Sequence, residues 1–391
     1  MRDVYLIESL RTPFGSFGGS LADVPATELA AQVIKAVLEK ANLDPVAVDE
    51  VILGQVIQGG TAQAPARQAM LKAGVPKEAH ALTINKVCGS GLKSMMLASQ
   101  SIKSGDSDIV LAGGMENMSA APYALPKGRY GAKMGHTELL DLMMYDALLD
   151  PYTNQAMGVL CEGSVERKGI SREEQDEFAA RSYTLAQKAV SEGTLADELV
   201  PVVKKTRKGD VIIDKDEDPF NGKVEKLPAL KPCFKKDGTI TAGNASNIND
   251  GAGVTLFASA EAVEKFKLTP KAKLIGYATN SIEPEYFSEA PVGAIEKAVK
   301  NAELTIDNIN LFEINEAFAA VTLMAVKELG IDIDKVNVNG GACAYGHPVG
   351  ASGARLVSTL VREMVQRKEK YGLTTLCIGG GEAVAAVFEL V

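Results

Sequence analysis

Histidine is scarce in this chain: His80, His136 and His347 are the whole complement. That excludes histidine-rich metal clusters and leaves few candidates for a general base. Cysteine is little used as well. Cys88, Cys161, Cys233, Cys343 and Cys377 are odd in number, far apart and without a Cys-x-x-Cys pair, which fits neither a disulfide framework nor a zinc site. Reduced thiols, as in a cytoplasmic protein, are the expectation. No stretch approaches the roughly 18 consecutive apolar residues of a membrane span, and the chain opens directly into the strand-like run Val4 to Ile7, so neither a membrane protein nor a signal peptide is expected. Positive charge is in deficit, with 41 Lys and Arg against 50 Asp and Glu and a net charge of −9. Nucleic acid is therefore excluded as the main partner, because phosphate binding requires a cationic surface. A local basic patch for a small anionic ligand remains compatible with this charge.

The remainder describes a globular α/β protein. At 391 residues, with 46% apolar and 23% charged residues, the chain has material for a large core and for two or three domain-sized units. Its 37 glycines cluster at Gly89/Gly91, Gly113/Gly114, Gly340/Gly341, Gly350/Gly353 and Gly379 to Gly381, which suggests strand-to-helix turns and close backbone approaches. Between them helical and strand-like patterns alternate: Thr27 to Ala41 then Val51 to Ile57, and Gly91 to Lys103 then Ile109 to Ala112. Self-similarity is the more informative signal. Ile34 to Leu53 aligns without gaps on Ile295 to Ile314 at an offset of 261, and Ser90-Gly91 falls within one residue of that register on Ser352-Gly353. One α/β unit is thus expected twice. Residues from about 119 to 248 have no counterpart and read as an inserted loop domain. In it Met134 to Ala147 reads as an amphipathic helix, Ser171 to Glu192 as a long helix with a Ser171/Glu174 capping box, and Lys204 to Asp218 as a solvated hairpin and loop.

Four segments could carry chemistry. Val87-Cys88-Gly89-Ser90-Gly91 lies between the strand-like Leu82 to Ile84 and a helix. A cysteine there faces unsatisfied N–H groups and the positive helix end, an arrangement that lowers a thiol pKa. The pentapeptide alone reads equally well as a buried turn cysteine. His347, in Tyr345-Gly346-His347-Pro348-Val349-Gly350, occupies the duplicated counterpart of the Cys88 turn and so is expected across from it, although a lone histidine is commonly structural. Cys377 closes what reads as the last apolar strand and precedes Gly379-Gly380-Gly381, whose N–H groups could face a ligand. Asn315 and Glu316, after the strand Leu311 to Ile314, open an apolar helix, where Asn315 could serve merely as a cap.

In this order the four segments resemble the thiolase family over essentially the whole chain, Val4 to Val391. The resemblance implies a duplicated five-layered α/β/α/β/α fold with an inserted loop domain. Residues 1–118 would form the N-terminal half, completed by about 249–268; residues 119–248 would form the loop domain and 269–391 the C-terminal half. It implies that Cys88 is the acylated nucleophile, His347 its activator and an oxyanion donor, Cys377 the acid/base at the substrate α-carbon, and Asn315 the anchor of a water. The N–H groups of Cys88 and Gly379 would form a second oxyanion hole. Ser246, with Ala242 and Gly243, would meet the pantetheine of coenzyme A; Met157, Phe287, Phe318 and Phe220 would complete the substrate-binding set. The implied reaction joins two acetyl-CoA into acetoacetyl-CoA and coenzyme A, or reverses this by thiolysis. These esters are substrates, and no cofactor or metal is expected. A cytoplasmic homotetramer, a dimer of dimers with the Met134 to Leu149 region near its joining loops, is implied too.

Several positions depart from the acetyl-specific biosynthetic pattern: Ala156 for histidine, Phe287 for methionine, Phe220 for arginine, and Asn247 and Ala383 for glycines. None of the catalytic positions departs. The altered pocket leaves open a broader 3-ketoacyl-CoA thiolase of β-oxidation, and a silent acyl-CoA-binding or scaffold protein is the alternative of another class. A cysteine hydrolase would leave Cys377 and the duplication unexplained.

Overall fold

The computed structural model describes residues 2–391. The main elements of the first half are β1 (Val4–Arg11), α1 (Ala26–Lys40), β2 (Glu50–Gly54), β3 (His80–Ile84), α2 (Ser90–Ser104) and β4 (Ile109–Asn117). After it come α3 (Met157–Lys168), α4 (Arg172–Glu192) and β5 (Asn249–Ser259). The rest of the chain forms β6 (Ala272–Ser281), α5 (Ala290–Asn301), β7 (Leu311–Ile314), α6 (Ala319–Leu329), α7 (Ser352–Arg367), β8 (Tyr371–Ile378) and β9 (Glu382–Leu390). None of the helices is long and apolar enough to cross a membrane among the described residues.

The sheet runs β7-β8-β9-β6-β1-β5-β4-β2-β3. From its centre outward the order β1-β5-β4-β2 mirrors β6-β9-β8-β7, which is the duplication seen in the sequence. β2 and β7 start at equivalent positions, as do α2 and α7. Among the described residues, the two halves meet in the sheet at Tyr5↔Lys273 and Leu6↔Ala272. Packing is what joins them. On one outer face Leu29, Val33, Ile34 and Val37 of α1, spaced as one helical stripe and all fully buried, lie on Leu111, Val254 and Leu256. Each such side chain contributes about 1.5 to 3 kcal/mol by burial. Between the sheet halves Leu92, Met95 and Met96 of α2 and Leu356, Val357 and Leu360 of α7 share one cluster with Val110, Phe257, Leu376 and Val384. Ile295 and Val299 of α5 cover Leu373 and Val387 on the other outer face. Helix, sheet, paired central helices, sheet and helix make five layers.

The central helices cross where neither carries a side chain. A Cβ on Gly353 would lie 2.3 Å from Leu92 N, and one on Gly91 would lie 3.0 Å from Gly350 O. Overpacking of this kind typically costs about 1 to 3 kcal/mol. Gly353→Ala is therefore expected to lower the thermal midpoint by several degrees in a calorimetric or circular-dichroism melt, and an unchanged midpoint would refute this close approach.

Local expectations fared unevenly. The Ser171 capping box is present, with Glu174 N–H donating to Ser171 Oγ at 3.1 Å and Ser171 N–H donating to Glu174 Oε2 at 2.7 Å. The helix expected over Met134 to Ala147 is absent: Leu140–Asp141 pairs with Tyr123–Ala124, and only Met144–Leu148 forms a π-helical turn. Gly135 takes φ +86° inside this stretch, and Met134 and Leu139 are 99% and 61% exposed. Its end does pack, with Met143 and Ala147 buried against Val56, Ile57 and Met118, but Met134 to Leu139 stay exposed, so the backbone is free to leave the helix at glycine. The hairpin within Lys204 to Asp218 is formed by Val202–Thr206 and Gly209–Ile213, but its exit is not solvated. Asp216 and Asp218 are buried; Asp216 accepts two hydrogen bonds from Arg11, whose Nε also reaches Glu198 at 2.6 Å. Cys377 is on the penultimate strand, and Gly379 to Gly381 turn the chain from β8 into β9 instead of leading to a helix. Gly113 and Gly114 are strand residues of β4, not a turn; a Cβ on Gly114 would sit 1.9 Å from Gly350 O.

Candidate active site

Cys88 stands in the short turn from β3 to α2. Immediately before it Val87 has φ +44°, a left-handed conformation that is strained for a β-branched residue by about 1 to 3 kcal/mol. The turn is held on both sides. Val87 N–H donates to Asn85 Oδ1 at 2.9 Å, Ser90 Oγ donates to Val87 O at 2.7 Å, and Lys86 N–H donates to Ser90 Oγ at 2.8 Å. The half-buried Cys88 sulfur faces the backbone N–H groups of Gly379 and of Cys88 itself. These donors lower its pKa, yet burial outweighs them and pushes the thiol up to about 11. The lowered pKa expected from the helix end is thereby corrected: desolvation of the thiolate is the larger effect.

This has a measurable consequence. With a raised pKa the free enzyme rests as the thiol, and its thiolate fraction should grow about tenfold per pH unit up to the pKa. Iodoacetamide modification of Cys88, resolved by peptide mass spectrometry from that of the exposed Cys233, is expected to keep accelerating above about pH 8.5. A rate already level at neutral pH would contradict it.

His347 is buried. Its Nδ1 is 2.5 Å from Ser352 Oγ, and Asn315 Nδ2 stands 3.4 Å from Nε2 and 3.5 Å from Nδ1. Its backbone N–H donates to Asn247 O at 3.1 Å and Asn249 Oδ1 at 3.2 Å. The preceding Gly346 has φ +88°, and a Cβ there would lie 1.7 Å from Asn249 Oδ1, so no other residue fits. Burial first, then the Arg355 guanidinium, lowers the imidazole pKa to about 3. The ring is neutral across the physiological range. No hydrogen bond joins it to Cys88 among the described residues; Val349, two residues along, shares an apolar cluster with Val87 and Cys88.

Asn315 is not a helix cap. α6 starts at Ala319 with Phe318 in the capping position, which leaves Asn315 fully buried beside His347 with its Oδ1 unpartnered. An orphan acceptor in such a place costs about 1 to 3 kcal/mol unless something binds it. Glu316 fixes the loop by accepting from Ser182 Oγ, Asn337 Nδ2 and Cys343 N–H at 2.7, 2.7 and 2.9 Å. Cys377, 1% exposed, has a thiol held well above its usual pKa by burial and by its neighbours Cys88 and Cys161. It packs with Leu160, Cys161, Phe287, Ala317 and Phe318, and Met157 borders the cluster.

The other sequence-predicted positions are distributed unequally around this centre. A Cβ on Gly379 would be 3.5 Å from Met157 Cε and 3.8 Å from Val87 Cγ1, so Gly379 lies between the Cys88 turn and α3. Phe318 stacks edge-on with Phe287 and Phe234, at centroid distances of 6.4 and 5.9 Å. Ser246 N–H donates to Ala317 O at 3.0 Å, and Ala319 N–H donates to Asn244 O at 2.8 Å, which ties the 241–246 loop to the Asn315 loop. Ala242 is exposed, whereas Gly243 is buried under Leu227 and Leu230. Phe220 is 56% exposed.

Sequence reasoning missed Glu116. This fully buried carboxylate at the end of β4 accepts N–H groups from Val56 (2.9 Å), Ile57 (3.2 Å) and Gly350 (3.0 Å), so it clamps the His347 loop to the end of β2. The run Val51 to Ile57 accordingly leaves the sheet after Gly54. Burial raises the Glu116 pKa to about 7. It also missed Cys161 and Phe234 as companions of Cys377 and Phe318. A polar residue in an otherwise apolar strand was the available signal for Glu116.

Cys88, the buried thiol of Cys377 and the neutral imidazole of His347 are thus the groups of this centre that can attack a substrate or move a proton. The family models for the thiolase N-terminal and C-terminal domains match residues 4–261 and 268–390. The chain is 47% identical over 392 residues to an acetyl-CoA acetyltransferase of Syntrophomonas wolfei, covering 99% of each chain. It is 49% identical over 389 residues to a probable acetyl-CoA acyltransferase of Staphylococcus aureus, again covering 99% of each. The crystal structure of the Bacillus anthracis acetyl-CoA acetyltransferase superposes with a TM-score of 0.97 at 41% identity, covering 100% of this chain and 99% of that one. The chain belongs to the thiolase family.

Proposed function

We propose that this thiolase is an acetyl-CoA C-acetyltransferase, interconverting two acetyl-CoA with acetoacetyl-CoA and coenzyme A. The observation that carries the reading is the Cys88 sulfur under the N–H groups of Cys88 and Gly379, with Cys377 beside it. In thiolysis Cys88 passes its proton to neutral His347 and attacks the ketone carbon of acetoacetyl-CoA, whose oxygen gathers charge under the two N–H groups. Each oxyanion donor of this kind contributes about 3 to 4 kcal/mol. The carbon–carbon bond then breaks, and the departing acetyl-CoA enolate takes a proton from Cys377. A raised pKa suits that step, since the group rests as the acid. Coenzyme A thiol finally attacks acetyl-Cys88 and leaves as acetyl-CoA. Condensation is the reverse, with Cys377 as base. His347 and a water held by the unpartnered Asn315 Oδ1 serve the enolate oxygen.

The same reading assigns Ser246, Ala242 and Gly243 to the pantetheine side, Met157, Phe287 and Phe318 to the acyl side, and Phe220 to the nucleotide end. It takes residues 119–248 as the loop domain between the halves 1–118, completed by about 249–268, and 269–391. It also takes the protein as a cytoplasmic homotetramer whose coenzyme A esters are substrates and which needs no cofactor. Gly243 is the weakest member of the substrate set, because Leu227 and Leu230 cover it.

Acyl selectivity tests the assignment. Ala156 removes bulk beside Met157, while the buried Phe287 fills space with a stiff ring packed on Phe318. Apolar fit is worth only about 1 to 3 kcal/mol per methylene, so discrimination is graded. Acetoacetyl-CoA is expected to give the highest kcat/KM in thiolysis, with measurable turnover of a four-to-six-carbon or 2-methyl-branched homologue. A maximum at eight carbons or more would replace this reading with a β-oxidation thiolase.

A further inference from the structure

Two serines occupy equivalent positions in the duplicated halves. Ser90 opens α2 and Ser352 opens α7, and each folds its hydroxyl back onto the turn before its helix. Ser90 Oγ lies 2.7 Å from Val87 O and 2.8 Å from Lys86 N. Ser352 Oγ lies 3.0 Å from Pro348 O and 2.5 Å from His347 Nδ1. A hydroxyl has one proton to give and lone pairs to receive. For Ser90 the direction is fixed: Lys86 N–H is only a donor, so the serine proton goes to Val87 O. The equivalent arrangement in the second half sends the Ser352 proton to Pro348 O and leaves its lone pair facing His347 Nδ1.

We propose that Ser352 is a positioning residue that holds neutral His347 as the Nδ1–H tautomer, so that Nε2 carries the lone pair that takes the Cys88 proton. The inference rests on the reading of Cys88 as the acylated nucleophile. Asn315 cannot make the selection, because its Nδ2 is almost equally far from both ring nitrogens. Ser352 is 1% exposed, so bulk water does not compete for Nδ1. When Nε2 gains the Cys88 proton, the imidazolium keeps the same acceptor at Nδ1 and the ring need not turn. The opposite direction, with Ser352 donating to Nδ1, would place a proton on Nε2 and block the base. The duplication has thus given one device two uses: Ser90 secures the turn of the nucleophile, and Ser352 sets the protonation of its base.

With only three histidines in the chain, the His347 ring nitrogens are separable by nuclear magnetic resonance of ¹⁵N-histidine-labelled protein, assigned by their loss in His347→Asn. The wild-type ring is expected to be protonated at Nδ1 near neutral pH. In Ser352→Ala the proton should redistribute toward Nε2, with kcat for thiolysis falling about 100-fold and KM changing little, in line with the cost of a wrong tautomer or a misplaced base. Ser352→Thr keeps the hydroxyl and should recover most of that loss. A wild-type ring protonated at Nε2 overturns the proposal whether or not any variant folds. So does a Ser352→Ala enzyme with unchanged tautomer and kcat. Wild-type protein that shows the Nδ1 proton but no thiolysis supports the tautomer assignment and refutes the function it was attached to.

Discussion

Cys88→Ser is expected to lower thiolysis of acetoacetyl-CoA by at least about 10³-fold while leaving the thermal midpoint nearly unchanged. Removing a nucleophile outright costs on the order of 10⁶ in a comparable covalent enzyme, and serine retains only a poorly ionised hydroxyl in its place. The thiol of Cys88 already rests protonated because of its burial, so it depends on transfer of its proton during attack. A hydroxyl, with a much higher pKa, makes that transfer far harder. The substitution is close to isosteric at a half-buried site, which is why stability should not follow activity. Substantial turnover by Cys88→Ser would remove Cys88 from the nucleophile's role.

The second large effect divides the reaction in two. Cys377→Ala is expected to lose condensation and carbon–carbon cleavage by about 10² to 10⁴-fold, the usual worth of a positioned acid/base. Exchange of an acetyl group between Cys88 and labelled coenzyme A should persist, since acyl transfer needs no proton at carbon. The methyl-sized cavity left among Leu160, Cys161 and Phe318 adds a stability cost but does not separate the half-reactions. His347→Ala, by contrast, should impair both, because the proposed reaction uses the same ring for the thiol and the oxyanion. Full condensation activity in Cys377→Ala would exclude it from the chemistry.

The features legible in the sequence were those written in local pattern or in repetition. The offset linking Ile34 to Ile295 predicted equivalent strands, β2 and β7, and equivalent central helices, and the sheet is built from both copies. Ser171 and Glu174 made a capping box because such a cap involves only four successive residues. Features decided by distant partners were not legible. Met134 to Ala147 has helical spacing, but only its end, at Met143 and Ala147, finds an apolar surface, and Gly135 bends the exposed start away. The Cys88 pKa was expected to follow the helix end next to it, whereas the desolvation that raises it comes from the enclosing fold. Asn315 resembled a cap until the helix began four residues later, leaving its oxygen free beside His347. Glu116 gave little sign of its task, which is to join two loops distant in sequence. The buried Arg11, Glu198 and Asp216 group likewise draws on widely separated segments.

Acetyl transfer to Cys88 is the claim on which the rest depends. Protein mixed with acetyl-CoA, quenched in acid and digested, is expected to carry one acetyl group on the peptide containing Cys88, lost again when free coenzyme A is added before the quench. An acetyl group found solely on Cys377, or none on either cysteine in protein that cleaves acetoacetyl-CoA, would contradict the account.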